Sequence, residues 1–237
     1  MIDALQWLLD PAHWAGERGV PARLAEHLGI TALTLLIAGV IGLSAGLAIG
    51  HTGRGRGLAV GLSGALRAMP TLGLLVFLAV QFGFGVRLAL LPTLIVLVVL
   101  AIPPILAGTY AGVESADPAT VDASRAMGMT EGQILRRVEL PLALPLIFGG
   151  IRSATLQVVA TATVAAYISL GGLGRFLFDA LPVQDYAQMV AGALLVALLA
   201  LALDLLLNLA SRFAIPAGVR HARGTAATPA TPERTPR

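Results

Sequence analysis

The chain has 237 residues, of which 57% are hydrophobic and only 12% charged, with a mean hydropathy of +0.84 and a net charge of +3. That mixture excludes an ordinary soluble domain and leaves an integral membrane protein with room for about five or six helices. All 16 basic residues are Arg and there is no Cys, which excludes a P-loop lysine, a Schiff-base lysine and any thiolate or disulfide chemistry.

Residues 1–28 carry Trp7, Trp14 and a mixed set of charges. Asp3 occupies the place of a positive n-region and Asp10-Pro11 breaks the apolar run, so a signal peptide is not expected. The segment reads either as an extracytoplasmic piece lying at the membrane interface, which two Trp residues suit, or as a plain polar leader. The first span is expected over 29–50. Gly42, Gly46 and Gly50, with Ala38 one turn earlier, fall on one helix face and predict close backbone packing, within the subunit or toward a partner.

Arg54 and Arg56 follow in a short loop. The second span, 58–82, contains Arg67 and the run Met69-Pro70-Thr71-Leu72-Gly73, and Pro70 predicts a break there. A broken helix is tolerated in a membrane only where the freed backbone is buried or wet, so Pro70 and Thr71 are candidates for a translocation path. A turn at 83–87 leads to the third span, 88–110, which holds Pro92 and the pair Pro103-Pro104. A polar loop, 111–141, precedes the fourth span, 142–168. Gly171-Gly172-Leu173-Gly174 then reads as a turn, since no strand precedes it and no Lys follows. The fifth span is 187–209, and the Arg/Pro/Thr-rich tail, 213–237, is expected to be disordered.

Arg counting orients the chain. Arg54, Arg56, Arg125, Arg136, Arg137 and the tail arginines fall on one side, against Arg18, Arg23, Arg87 and Arg175 on the other. Five spans alternate these loops consistently, with the N-terminus outside and 111–141 in the cytoplasm.

Within the spans, Arg152 and Asp204 lie at similar depth from the cytoplasmic ends and are expected either to pair or to line the path. Thr155 and Gln157 are further path candidates, although membrane Thr hydroxyls more often bond to the preceding turn. No metal-ligand spacing links the four His residues, and no basic face for nucleic acid is present. No catalytic residue and no cofactor are expected.

The loop itself carries a pattern. Asp122-Ala123-Ser124 is followed by Gly128, six positions after the acid, then nine residues, then Val138-Glu139-Leu140-Pro141. Thr120 or Asp122 is expected to cap a short helix there. The spacing resembles the EAA loop of permeases of ABC importers (Glu-Ala-Ala-x3-Gly-x9-Ile-x-Leu-Pro), with Asp122, Ser124 and Val138 as substitutions. Ala126-Met127-Gly128-Met129-Thr130 and the doubled Leu-Pro run 140–146 are more specifically similar to the osmoprotectant permeases, those for glycine betaine, carnitine and choline. Over about residues 25–210 the resemblance implies an all-α, five-span, MetI-like type I importer permease in a bacterial cytoplasmic membrane. It implies that Asp122, Ala123, Ser124, Ala126, Gly128, Met129, Thr130, Leu140 and Pro141 couple the permease to ABC ATPase subunits. Other implied partners are membrane lipid, a second permease copy or a related permease, and an extracytoplasmic substrate-binding protein, with ATP bound by the partner ATPase. A permease for methionine or another amino acid shares this plan and stands as the alternative. A secondary transporter would show inverted repeats and membrane carboxylate sites, and neither is visible.

Overall fold

The computed structural model describes residues 2–81, 89–168, 170–216 and 218–219. The side chain of Arg67, the turn expected at 83–87 and the tail from Arg220 lie outside the described residues. Among the described residues every regular element is helical.

The chain opens with α1 (Ile2–Leu9) and a 3₁₀ turn (Pro11–Trp14), the latter capped by the Asp10 carboxylate, which accepts the Ala12 N–H at 2.9 Å. Trp7 stacks on His13 with ring centroids 3.9 Å apart and meets Phe176 edge-on at 5.3 Å. The leading segment is therefore folded back on the bundle, while Ile2, Leu5 and Leu9 point outward.

Helix α2 (Val20–Thr52) begins well before the Gly29 start expected from composition. Glu26 and His27 made that stretch look extramembrane, yet both are built into the packing. Glu26 accepts the Gly172 N–H at 2.8 Å, and the buried His27 bonds through Nε2 to the Val159 carbonyl at 3.1 Å. At about 1.5 Å per residue a helix of 33 residues outruns the hydrocarbon core at both ends. It stops at Gly53, whose φ of +68° supports a left-handed cap that hands its N–H to Ile49.

The expected second span is two helices, α3 (Arg56–Arg67) and α4 (Thr71–Gln81), bent by 83° across the break at Pro70. Next come α5 (Leu90–Glu114), α6 (Pro118–Ala126), α7 (Glu131–Ile134), a π-helical turn (Leu135–Glu139) and α8 (Leu140–Ala162). A 3₁₀ stretch (Thr163–Ile168), the short α9 (Arg175–Phe178) and α10 (Tyr186–Ala214) complete the chain. Among the described residues four helical stretches are long and apolar enough to cross a membrane, and five if the bent pair α3–α4 counts as one span.

α5 is the mast of the bundle. Its apolar window is 56% buried, against 22% for α2 and 17% for α10, so it is the helix the others surround. Small residues allow the approach. An added Cβ at Gly42, Gly46 or Gly50 would meet Ile105, Thr109 and Val113 of α5 at 3.0 Å or less, so the glycine face of α2 packs within the subunit. On the other flank of α5, Gly108 and Gly150 bring its backbone against that of α8, and Gly112 lies against Ala143. Pro103 and Pro104 lie buried midway along the mast.

The bundle sorts its arginines as the counting predicts. Arg56 meets Glu114 at 2.9 Å and Arg125 meets Glu131 at 2.8 Å at one end. Arg23 meets Glu26 at 2.9 Å at the other, where Glu26 also holds Gly172.

Candidate functional site

The polar loop is folded, and its folding explains the spacing of its motif. Asp117 is the N-cap of α6: it is extended, its carboxylate accepts the Ala119 N–H at 2.9 Å, and Pro118 fills the first turn, where no donor is lost. The cap expected from Thr120 or Asp122 therefore lies earlier. Thr120 sits in the first turn and accepts the Ser124 hydroxyl through its carbonyl at 2.8 Å, and Asp122 is mid-helix.

α6 ends in a Schellman turn. The Gly128 N–H reaches the Arg125 carbonyl at 2.9 Å and the Met129 N–H reaches that of Ser124 at 3.2 Å, with Gly128 at φ +84°. Only Gly holds that conformation cheaply, which is why a Gly stands six positions after the acid. Thr130 then caps α7 in a reciprocal box with Gln133, whose Oε1 accepts the Thr130 N–H at 2.9 Å. Met129 packs with Val121, Ile134, Val138 and Leu142 beneath the turn, and Leu140 joins Val113, Ala143 and Ile147 at the start of α8. Pro141 is at home in the first turn of that helix.

The motif residues thus divide by direction. Ser124, Met129, Thr130, Leu140 and Pro141 hold the segment together. Asp122, Ala123, Ala126 and Gly128 face outward, joined by Met127, which is 75% exposed. Small residues around one protruding Met leave a knob on the surface of the bundle.

Charge fastens the knob to the bundle. Arg125 bonds Asp122 at 2.9 Å and clamps both oxygens of Glu131, through Nε at 2.8 Å and Nη2 at 3.1 Å. This fork raises the affinity of Arg125 for its proton and, mainly through the same hydrogen bond, holds the Glu131 carboxyl below its ordinary range. Glu131 also lies 3.3 Å from Nε2 of His51 at the end of α2, and Nδ1 of that ring is 2.6 Å from the buried Glu139. Sequence reading passed over these contacts, because His51 is 80 and 88 residues from its partners. The signals available were a His closing a span on the Arg-rich side and an acid inside the Val-Glu-Leu-Pro run.

On the flank of the bundle, between α8 and α10, the exposed Arg152 and the half-buried Asp204 form a two-pronged ion pair, Nε to Oδ1 and Nη2 to Oδ2, the latter at 2.6 Å. The other path candidates are dispersed. Pro70 marks the α3–α4 break, and Thr71 starts α4 and lines a small gap with Thr93 and Thr161. Thr155 gives its hydroxyl to the Ile151 carbonyl at 2.9 Å and lies beside Thr31 in an apolar groove between α2, α8 and α10. Gln157 is half-buried on α8, and the structure does not gather it with Arg152 or Thr71 into one site.

Residues 38–216 match the model of the family described as the binding-protein-dependent transport system inner membrane component. The chain belongs to that family. As such it is a permease subunit and a multi-pass protein of the cytoplasmic membrane. The permease is 34% identical over 226 residues to the osmoprotectant import permease protein OsmW of Salmonella typhimurium, covering 92% of this chain and 100% of that one. It is 30% identical over 195 residues to the choline transport system permease protein OpuBB of Bacillus subtilis, covering 82% and 88%. Among solved structures it resembles the inward-facing MetNI methionine ABC transporter, with a TM-score of 0.67 at 25% identity over 81% of this chain and 94% of that one. The fold is thus that of MetI-type importer permeases.

Proposed function

We propose that this permease admits an osmoprotectant, a quaternary amine such as glycine betaine, choline or carnitine, into the cytoplasm. The observation that carries this reading is the end-to-end likeness to OsmW, at 34% identity over 92% of the chain. The methionine alternative has a likeness of fold behind it, and the relatives that set the substrate class here are the osmoprotectant permeases.

In this reading ATP is bound and hydrolysed by separate ATPase subunits, in keeping with a chain that has no Lys for a phosphate loop. They dock on the outward face of α6 through Ala123, Ala126 and Met127, and a second permease, identical or related, completes the path. An extracytoplasmic binding protein delivers the solute. Because ATP acts on another subunit, it shifts the permease between inward and outward openings only through a docked contact that differs between the two states. Arg152 and Asp204 then serve the fold, since each satisfies the other in a setting where a lone charge is costly.

The test is uptake into membrane vesicles holding the permease with its ATPase and binding protein, with the ion gradients collapsed by ionophores. ATP-dependent accumulation of labelled glycine betaine or choline that unlabelled methionine does not compete away is the expected result. Accumulation of methionine in its place would overturn the substrate class.

A further inference from the structure

The contacts at the cytoplasmic end of α2 form one continuous line. Asp122 and Arg125 lie on α6, the face proposed to meet the ATPase. Arg125 grips Glu131 at the first residue of α7, Glu131 reaches His51 Nε2 at 3.3 Å, and His51 Nδ1 reaches Glu139 at 2.6 Å. Glu139 ends the π-helical turn that leads into α8 and is 5% exposed. A π turn is a local irregularity that helices tolerate mainly where it places a group for use, and here it puts a carboxylate under the end of α2. His51 therefore reaches from a membrane helix to both ends of the segment formed by α7 and the π turn.

We propose that His51 is a positioning residue for energy coupling: it ties α2 to Glu131 and Glu139 at once, so that displacement of α6 is delivered to α2. The inference rests on the reading that α6 docks the ATPase. Nδ1 of the ring is hydrogen-bonded to Glu139 at 2.6 Å and Nε2 lies at ion-pair distance, 3.3 Å, from Glu131, so one ring bridges the two carboxylates. Beyond the tie, α2 cannot yield separately, because Gly42, Gly46 and Gly50 seat it directly on Ile105, Thr109 and Val113 of α5. A push entering at His51 thus reaches the mast. The other charged groups at this end are Arg125 behind Glu131, Arg136 and Arg137 on the π turn, Arg54 in the following loop, and Arg56 paired with Glu114 of α5 at 2.9 Å.

The experiment uses the assembled importer in proteoliposomes and records solute taken up per ATP hydrolysed. The solute is choline, glycine betaine or carnitine, whichever the unsubstituted importer accumulates. His51→Gln, whose one donor nitrogen cannot stand in for two separated ring nitrogens, should be several-fold uncoupled, with the ATPase still co-purifying. A His51→Gln importer with the unsubstituted ratio would overturn the proposal. If His51→Gln fails to assemble, Glu131→Gln carries the test from an exposed position: uncoupling with the ATPase retained supports the tie, and an unchanged ratio overturns it. Failure of the docking reading looks different, since Ala126→Trp would then leave ATPase co-purification intact.

Discussion

Gly149 and Gly150 are neighbours on α8 with opposite surroundings, and they test the α5–α8 crossing directly. A Cβ built on Gly150 falls 2.5 Å from the Pro104 carbonyl oxygen and 3.2 Å from the Gly108 Cα, whereas one on Gly149 meets nothing within 4 Å. Ordinary contact begins at 3.4 Å, so Gly150→Ala requires a retreat of 0.9 Å (3.4 − 2.5) between two backbones. Backbone cannot swing aside as a side chain does, and overpacking of this kind costs about 1–3 kcal/mol. Gly149→Ala meets no obstacle and recovers up to about 1 kcal/mol of helix propensity. The propensity gain is common to both variants, so they should differ by the overpacking alone, about 1–3 kcal/mol, or roughly 2–12 °C in midpoint for a chain of this length. The assay is the temperature at which half of the detergent-solubilised protein leaves its monodisperse gel-filtration peak. Gly150→Ala should lie below the unsubstituted chain and Gly149→Ala at or above it. Equal midpoints, or the reverse order, would refute the backbone crossing at this position.

Three further outcomes follow from the coupling segment and the ion pair. Gly128→Val places a β-branched residue at φ +84°, a strain of about 1–3 kcal/mol; it should release the Schellman turn and reduce ATPase co-purification several-fold, while Gly128→Asn, which tolerates that conformation, should retain most of it. The depressed Glu131 carboxyl favours the folded loop above its unfolded value, and this contribution is lost only as pH falls through the lower, folded value. Amide protection across 118–134 should thus persist through the ordinary carboxylate range and fail only below it, and Glu131→Gln should remove that dependence. Arg152→Ala and Asp204→Ala should each lower the yield of folded protein by stranding the partner charge. The double variant should recover part of the loss, so a double variant no better than the worse single one would remove the pairing from any structural role.

The spans were legible because hydropathy and span length are dictated by the bilayer, and the break at Pro70 because proline lacks a donor. The Arg152–Asp204 pair was legible because two rare charges lay at similar depth on adjacent spans. The start of α2 was not, since Glu26 and His27 are bonded to Gly172 and Val159, partners more than 130 residues away. The α6 cap was misplaced for another reason: Asp117-Pro118 is a cap-and-first-turn signature in its own right, and attention to the Asp122 motif drew the helix start past it. The His51 contacts needed the fold, because only the packing of α2 on α5 brings residue 51 over residue 139.

The paired prolines of α5 divide the mast into unequal halves. Pro103 and Pro104 offer no N–H, so the carbonyls of Val99 and Leu100 go without their usual helical partners at the middle of the membrane. Below that point α5 is gripped on both flanks, by the glycines of α2 and by the Gly108–Gly150 contact with α8. Above it the mast is held by side chains, Leu97 against Ile30 and Ala162, and Val96 and Leu100 against Leu75. The two grips meet where the helical ladder lacks two donors, so the joint between them rests on packing in place of backbone bonds. Pro103→Ala and Pro104→Ala would return both donors and strengthen the helix there.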